Sequence, residues 1–259
     1  VAGPERMEKA MQAIKEELAQ RLSVSTRTVR ADITALNALL LQLLGSISYT
    51  VQLPAQVPPG GYAGFVIEQP PATADVSLLR NLTVTRSGMS LPAMDAGIYL
   101  EETAPRALIE HNNILDNSVG VYIHGSAESM VRENKIVGDS TLRVNERGNG
   151  VTVWNAPGAV VEGNDIAQGR DGIFVTVSKK NVFRANRMRN TRFAIHYMNT
   201  ADSEVIDNDS RDNSMGDAIM FSSRLRVTGN RSENDRDYGF LFNSANRSVL
   251  TGNRVKGYP

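Results

Sequence analysis

The sequence predicts an all-β chain folded as a right-handed parallel β-helix with a short N-terminal helical segment. Three observations carry this: an internal repeat of about 22 residues, strands that alternate apolar and polar positions, and an Asn that closes each repeat. The copies are GIYLEETAPRALIEHN, GVYIHGSAESMVREN, GVTVWNAPGAVVEGN, GIFVTVSKKNVFRAN, AIHYMNTADSEVIDN, AIMFSSRLRVTGN and GFLFNSANRSVLTGN. Their closing residues are Asn112, Asn134, Asn164, Asn186, Asn208, Asn230 and Asn253, at steps of 22, 30, 22, 22, 22 and 23.

A period this short is too small for a propeller blade, and strands without intervening helices argue against a helical or leucine-rich solenoid. One copy cannot bury its own apolar residues, so coils must stack at strand spacing and share an interior. The recurrent Asn is expected at a bend, where it tolerates left-handed backbone and its amide bonds the Asn of the next coil. It is a structural residue.

The rest of the chain divides by pattern. Residues 1–46 hold the helical segment: MEKAMQAIKEELAQRLS repeats apolar positions three and four apart, and Ser23 or Ser25 can cap a second helix near Thr26. Residues 47–74, rich in Pro and Gly, form a linker with a partial coil around Gly64 to Glu68, and residues 75–259 form the β-helix. The chain opens on Val1, which reads as a processed, truncated or engineered start.

Composition bounds the function. Twenty-eight basic residues balance 28 acidic ones, so no overall charge draws the chain to nucleic acid or anionic membrane. With no Cys, disulfides and thiolate ligands are excluded, and His, Met and carboxylates are left as side-chain metal ligands. The most apolar stretch, ALNALLLQLLGS, is too short and interrupted for a membrane span.

Alternation sends Ile98, Val121, Val151, Ile173, Ile195, Ile219 and Phe240 inward. The outward column between them runs Tyr99, Tyr122, Thr152, Phe174, His196, Met220, Leu241, and the next runs Glu101, His124, Trp154, Thr176, Met198, Ser222, Asn243. Such an apolar outer stripe marks a ligand or partner surface, with Tyr99, Tyr122, Trp154, Phe174 and His124 as its contacts, or else lies beneath a covering loop. In this register His196 and Met198 share a face and Met220 stands beside His196. Imidazole with thioether suits Cu(I), a soft d10 ion; the other reading is a histidine stacked among apolar neighbours.

Two excursions leave the coils. DSTLRVNERGN at Asp139 to Asn149 is expected to lie beside Trp154, and TRSGMSLPAMDA at Thr85 to Ala96 brings Met89 and Met94 toward the first regular coil. Enzyme chemistry is the rival reading, since β-helices act on acidic polysaccharides. Asp171, Asp217 and Asp237 precede coil starts with Arg170, Arg192 and Arg236 nearby, and His196 is the available base. Asp before Gly is also what a tight turn wants, and Tyr197 alternates inward.

Whole coil sequences carry a family resemblance. NAPGAVVEGNDI, GRDGIF, FAIHYM, DSEVIDN, RLRVTGNRSE and DRDYGFLFN resemble the NosD family, periplasmic β-helix proteins of nitrous oxide reductase maturation. LPAMDAGIYLEETA, GVYIHG and NERGNGVTVWNAPG extend the likeness, and PPGGYAGFVIEQPP is similar to a shortened opening coil. The resemblance implies a periplasmic, non-enzymatic copper-delivery role, with ABC transporter subunits, a copper chaperone and nitrous oxide reductase as partners and no nucleic acid. It also implies further coils past Gly257-Tyr258-Pro259. Upstream, LAQRLSVSTRTVRADITALN resembles the helix-turn-helix of DeoR-type repressors, where Thr26, Arg27 and Arg30 would face DNA. Beside a periplasmic β-helix the segment is expected to cap an end or bind a partner.

Overall fold

Each coil spends its apolar residues on three short strands and its Asn, Gly and Asp on the bends between them. The structure, a computed structural model, describes residues 49–52, 65–67, 78–87 and 90–257. Among these the strands form three parallel sheets of eight, eight and nine strands, each strand pairing with its equivalent in the adjacent coil. Sheet 1 runs from Phe65–Ile67 to Tyr238–Asn243, sheet 2 from Leu78–Arg80 to Val249–Thr251, and sheet 3 from Tyr49–Gln52 to Arg254–Lys256. The predicted parallel β-helix is therefore present, while the predicted helical segment lies outside the described residues. Two stretches of the predicted linker, Tyr49–Gln52 and Phe65–Ile67, are strands that pair with Leu82–Thr85 and Ala96–Leu100.

The interior is built from stacks of identical position. Ile98, Val121, Val151, Ile173 and Ile195 descend from sheet 1, Ile109, Val131, Val161, Phe183, Val205 and Val227 from sheet 2, and Ile114, Ile136, Ile166 and Met188 from sheet 3. All are buried, each stack shielding the one above, which is how a repeat too small to have a core acquires one. The small residue opening each coil is a steric requirement: a Cβ on Gly120 would stand 2.4 Å from the Gly150 carbonyl and from Ile136.

The Asn ladder behaves as predicted in its amides but not in its backbone. The Asn186 side-chain amide donates to Asn208 Oδ1 at 3.0 Å and to the Val161 carbonyl at 2.8 Å, and its backbone N–H also donates to Asn208 Oδ1. The same bonds repeat from Asn112 to Asn253. The left-handed residue is the one before the Asn: His111, Glu133, Gly163, Ala185, Asp207, Gly229 and Gly252 all have positive φ. The turn thus folds at the exposed preceding residue, and the Asn points its amide inward to satisfy the bend.

A second left-handed column closes sheet 1: Gly125, Asn155, Val177, Asn199, Phe221 and Ser244. Gly and Asn suit it, whereas the branched Val177 (φ 52°) and bulky Phe221 (φ 48°) do not. Both expose 54% of their surface, so no burial repays the strain.

One coil departs from the predicted register. Met215–Met220 pairs with Phe193–Met198 so that Asp217, not Ile219, follows Ile195 in the inward stack, with Phe240 beyond it. Ile219 sits inward too, against Tyr197. A pattern that assigns every charge to the outside slides this coil by two residues. Burial and the nearby charge of Asp235 push the Asp217 carboxyl up to about 8, and its Oδ1 accepts no hydrogen bond. The interior here is polar: Ser210, Ser232 and Asn213 all donate to Asp235.

Three outcomes follow. Asn186→Ala strands several buried donors and acceptors at once and should lower unfolding free energy by on the order of 3 kcal/mol in urea melts; a neutral result would remove the ladder as a stabilising element. Phe221→Asn should raise stability by about 1 kcal/mol by relieving left-handed strain, and no gain would mean the turn bears none. Asp217 takes up a proton on folding, so its contribution is fully present below the unfolded carboxylate pKa of about 4 and is lost progressively as pH rises through 8. Asp217→Asn should therefore be less pH-sensitive than wild type across that window, by up to about 1.4 kcal/mol per pH unit; parallel profiles would refute the buried proton.

Candidate functional site

The outer face of sheet 1 carries the site, and its geometry follows from strand register. Phe174, His196 and Ala218 are side by side on consecutive coils, as are Thr176, Met198 and Met220. Met220 is thus the ladder neighbour of Met198, not of His196; the two-residue slide caused by Asp217 explains the difference. With strands about 4.8 Å apart and residues two apart separated by about 6.6 Å, His196 and Met220 are diagonal neighbours across one ladder step. Both methionines are partly buried.

His196 is the only buried histidine of the three. Its Nδ1 lies 3.0 Å from Asp171 Oδ2. Arg192 grips the same carboxylate bidentately, Nε to Oδ1 at 2.8 Å and Nη2 to Oδ2 at 2.7 Å, and its guanidinium carbon rides 4.4 Å above the Phe193 ring. Burial pushes the Asp171 carboxyl up, but the hydrogen bonds from His196 and Arg192, with the charge of Arg192, outweigh it and leave Asp171 below the usual carboxylate range. The imidazole is walled by Phe174, 5.0 Å away, and Phe193, 4.9 Å away and edge-on. Its Nε2 is buried with no hydrogen-bond partner.

The Asp139–Asn149 insertion reaches this end of the sheet rather than the Trp154 end. Arg147 binds Gln168, the Arg170 N–H donates to Gly148, and Asn149 Oδ1 accepts the Asp171 N–H. The loop thereby braces the backbone that presents Asp171.

The remaining predicted contacts gather a few coils away. Tyr99 and Tyr122 meet edge-on at 4.9 Å, and His124 stacks on Trp154 at 4.5 Å with 10° between planes, its Nδ1 3.5 Å from Glu101. The two tyrosines are buried with Ala96 and Val119, and Met94 from the preceding excursion packs on them. Trp154 stays exposed. Phe174 belongs to the His196 group instead. Of the four residues of the polysaccharide-enzyme reading, Asp171 and His196 are joined but Asp217 faces the interior, and Asp237 is exposed and paired with Arg236. Among the described residues no group of three His, Asp or Glu could hold a metal, and no helix is long and apolar enough to cross a membrane.

The model of a family described as periplasmic copper-binding protein (NosD) matches residues 132–258, and one described as a helix-turn-helix domain matches residues 15–49. A probable ABC transporter binding protein NosD of Stutzerimonas stutzeri is 34% identical over 178 residues, 69% of this chain and 41% of that protein. One of the same description from Pseudomonas aeruginosa is 36% identical over 204 residues, 78% of this chain and 46% of that protein. The chain spans less than half the length of these relatives. The periplasmic alginate epimerase AlgG is similar in fold, with a TM-score of 0.56 at 13% identity over 70% of this chain and 50% of that one. Sequence identity of about a third, against 13% for the fold neighbour, distinguishes these two kinds of likeness, and on it the β-helix of this chain belongs to the NosD family.

Proposed function

We propose that this β-helix is a periplasmic, non-enzymatic copper-handling scaffold that works with an ABC transporter in the maturation of nitrous oxide reductase. Cu(I) is its cargo, held by His196 Nε2 and the thioethers of Met198 and Met220. One observation carries the reading: a buried imidazole nitrogen without a partner lies on the same sheet face as two methionines adjacent in register. Both donors are neutral; the thioethers are soft and the imidazole borderline, so the set suits cuprous ion better than Zn and offers little to Mg or Ca. The descriptions of the matching family and of the relatives agree with copper and with a transporter partner. A copper chaperone that supplies the ion and the reductase that receives it complete the set of partners, and the exposed Trp154 with its stacked His124 offers one of them an aromatic contact.

Anaerobic titration of Cu(I) against a chromophoric chelator tests this. Wild type should take up the ion, and His196→Ala, Met198→Ala and Met220→Ala should each bind about tenfold more weakly or worse, with Zn failing to compete. Equal affinity in all four proteins would sink the site.

A further inference from the structure

Asp171 stands in a column that most coils fill with apolar or aromatic side chains, the coil just before it placing Asn149 there. Phe193, Met215 and Tyr238 follow it in the ladder, and Ala96 and Val119 pair at the corresponding place in earlier coils. A carboxylate 1% exposed at such a position is costly unless its partners compensate, and Arg192 and His196 supply all of its side-chain hydrogen bonds. The other two histidines have nothing comparable: His111 and Glu133 form a pair half open to solvent, and the carboxylate at His124, Glu101, is partly exposed and 3.5 Å away.

We propose that Asp171 and Arg192 are positioning residues for His196, fixing the tautomer that carries its proton on Nδ1 and keeping Nε2 as a free lone pair for a soft metal ion. A carboxylate gripped by a guanidinium can only accept, so the Nδ1 facing it must donate. The neutral ring has one proton to give, and committing it to Asp171 leaves Nε2 unprotonated. Phe174 and Phe193 hold the ring plane, and the Asn149 contact and the hydrogen bonds from Arg192 to Arg170 and from Arg170 to Gly148 tie the pair to the inserted loop. The loop that breaks the 22-residue repeat thus acts on the site through Asp171. The same arrangement, an outer carboxylate orienting a liganding imidazole, is how metal-binding histidines are generally made effective. As to the ligand, the inference rests on the copper reading above; as to the tautomer, it does not.

The experiment uses the full chain with 15N-labelled histidine and two readouts. Long-range 1H–15N correlation of the metal-free protein near neutral pH should show His196 protonated at Nδ1, with Nε2 as the unprotonated nitrogen. Asp171→Asn should disturb that pattern toward a tautomer mixture and weaken Cu(I) binding by about 10- to 100-fold, with Arg192→Gln giving a smaller change in the same direction. A wild-type ring protonated at Nε2 overturns the proposal whether or not the variants fold, as does an unaltered tautomer in a folded Asp171→Asn. If the tautomer depends on Asp171 but wild type takes up no Cu(I), the positioning stands and the copper reading falls.

Discussion

Everything in this molecule depends on satisfying the backbone at the bends. A parallel β-helix turns sharply three times per coil, and each bend carries N–H and C=O groups that the flat ladders cannot reach. The Asn ladder answers this within the fold: between its two ends each amide oxygen receives two bonds from the coil before, and each amide nitrogen donates to the next Asn and to a main-chain carbonyl. Ser and Asp do the same at other bends, as where Asp235 collects Asn213, Ser210 and Ser232. Because one coil's satisfaction lies in its neighbour, register is locked along the whole stack.

That locking turns a repeat into a site. Parallel pairing brings Asp171, Arg192 and His196 together across one coil step although 25 residues separate the carboxylate from the imidazole. It also sets Met198 against Met220 and Trp154 against His124. The 30-residue step adds a loop without disturbing this, since Gly150 rejoins the ladder by donating to the Asp171 carbonyl. An insertion on a rigid scaffold can therefore be recruited to the site at little structural cost.

The departures from the repeat cluster in the same coils. Asp171 occupies a largely apolar column, Asp217 enters the interior, and Val177 and Phe221 occupy left-handed turns that Asn or Gly would fill more easily. Val177 and Phe221 flank Asn199 directly beyond the Met198–Met220 edge. Places where local preference is overridden are where function is to be sought.

The sequence by itself determined the architecture: the 22-residue period, the alternation and the closing Asn suffice for parallel coils, for the inward stacks through Ile195, and for an outer face bearing His196, Met198, Tyr99, Tyr122 and Trp154. These are period-2 properties of the local chain, and they survive without knowledge of neighbours. Register across the sixth coil was not legible, because a buried Asp217 contradicts the assumption that charges face out, and so Met220 was expected beside His196 instead of Met198. Nor was it legible that the residue before each Asn, and not the Asn, takes the left-handed turn. Asp171 and Arg192 were visible as charges near a coil start but not as partners of His196. Pairing between coils depends on distances that only stacking creates, and only the tertiary structure decided that a carboxylate, a guanidinium and an imidazole from two coils share one hydrogen-bonded row.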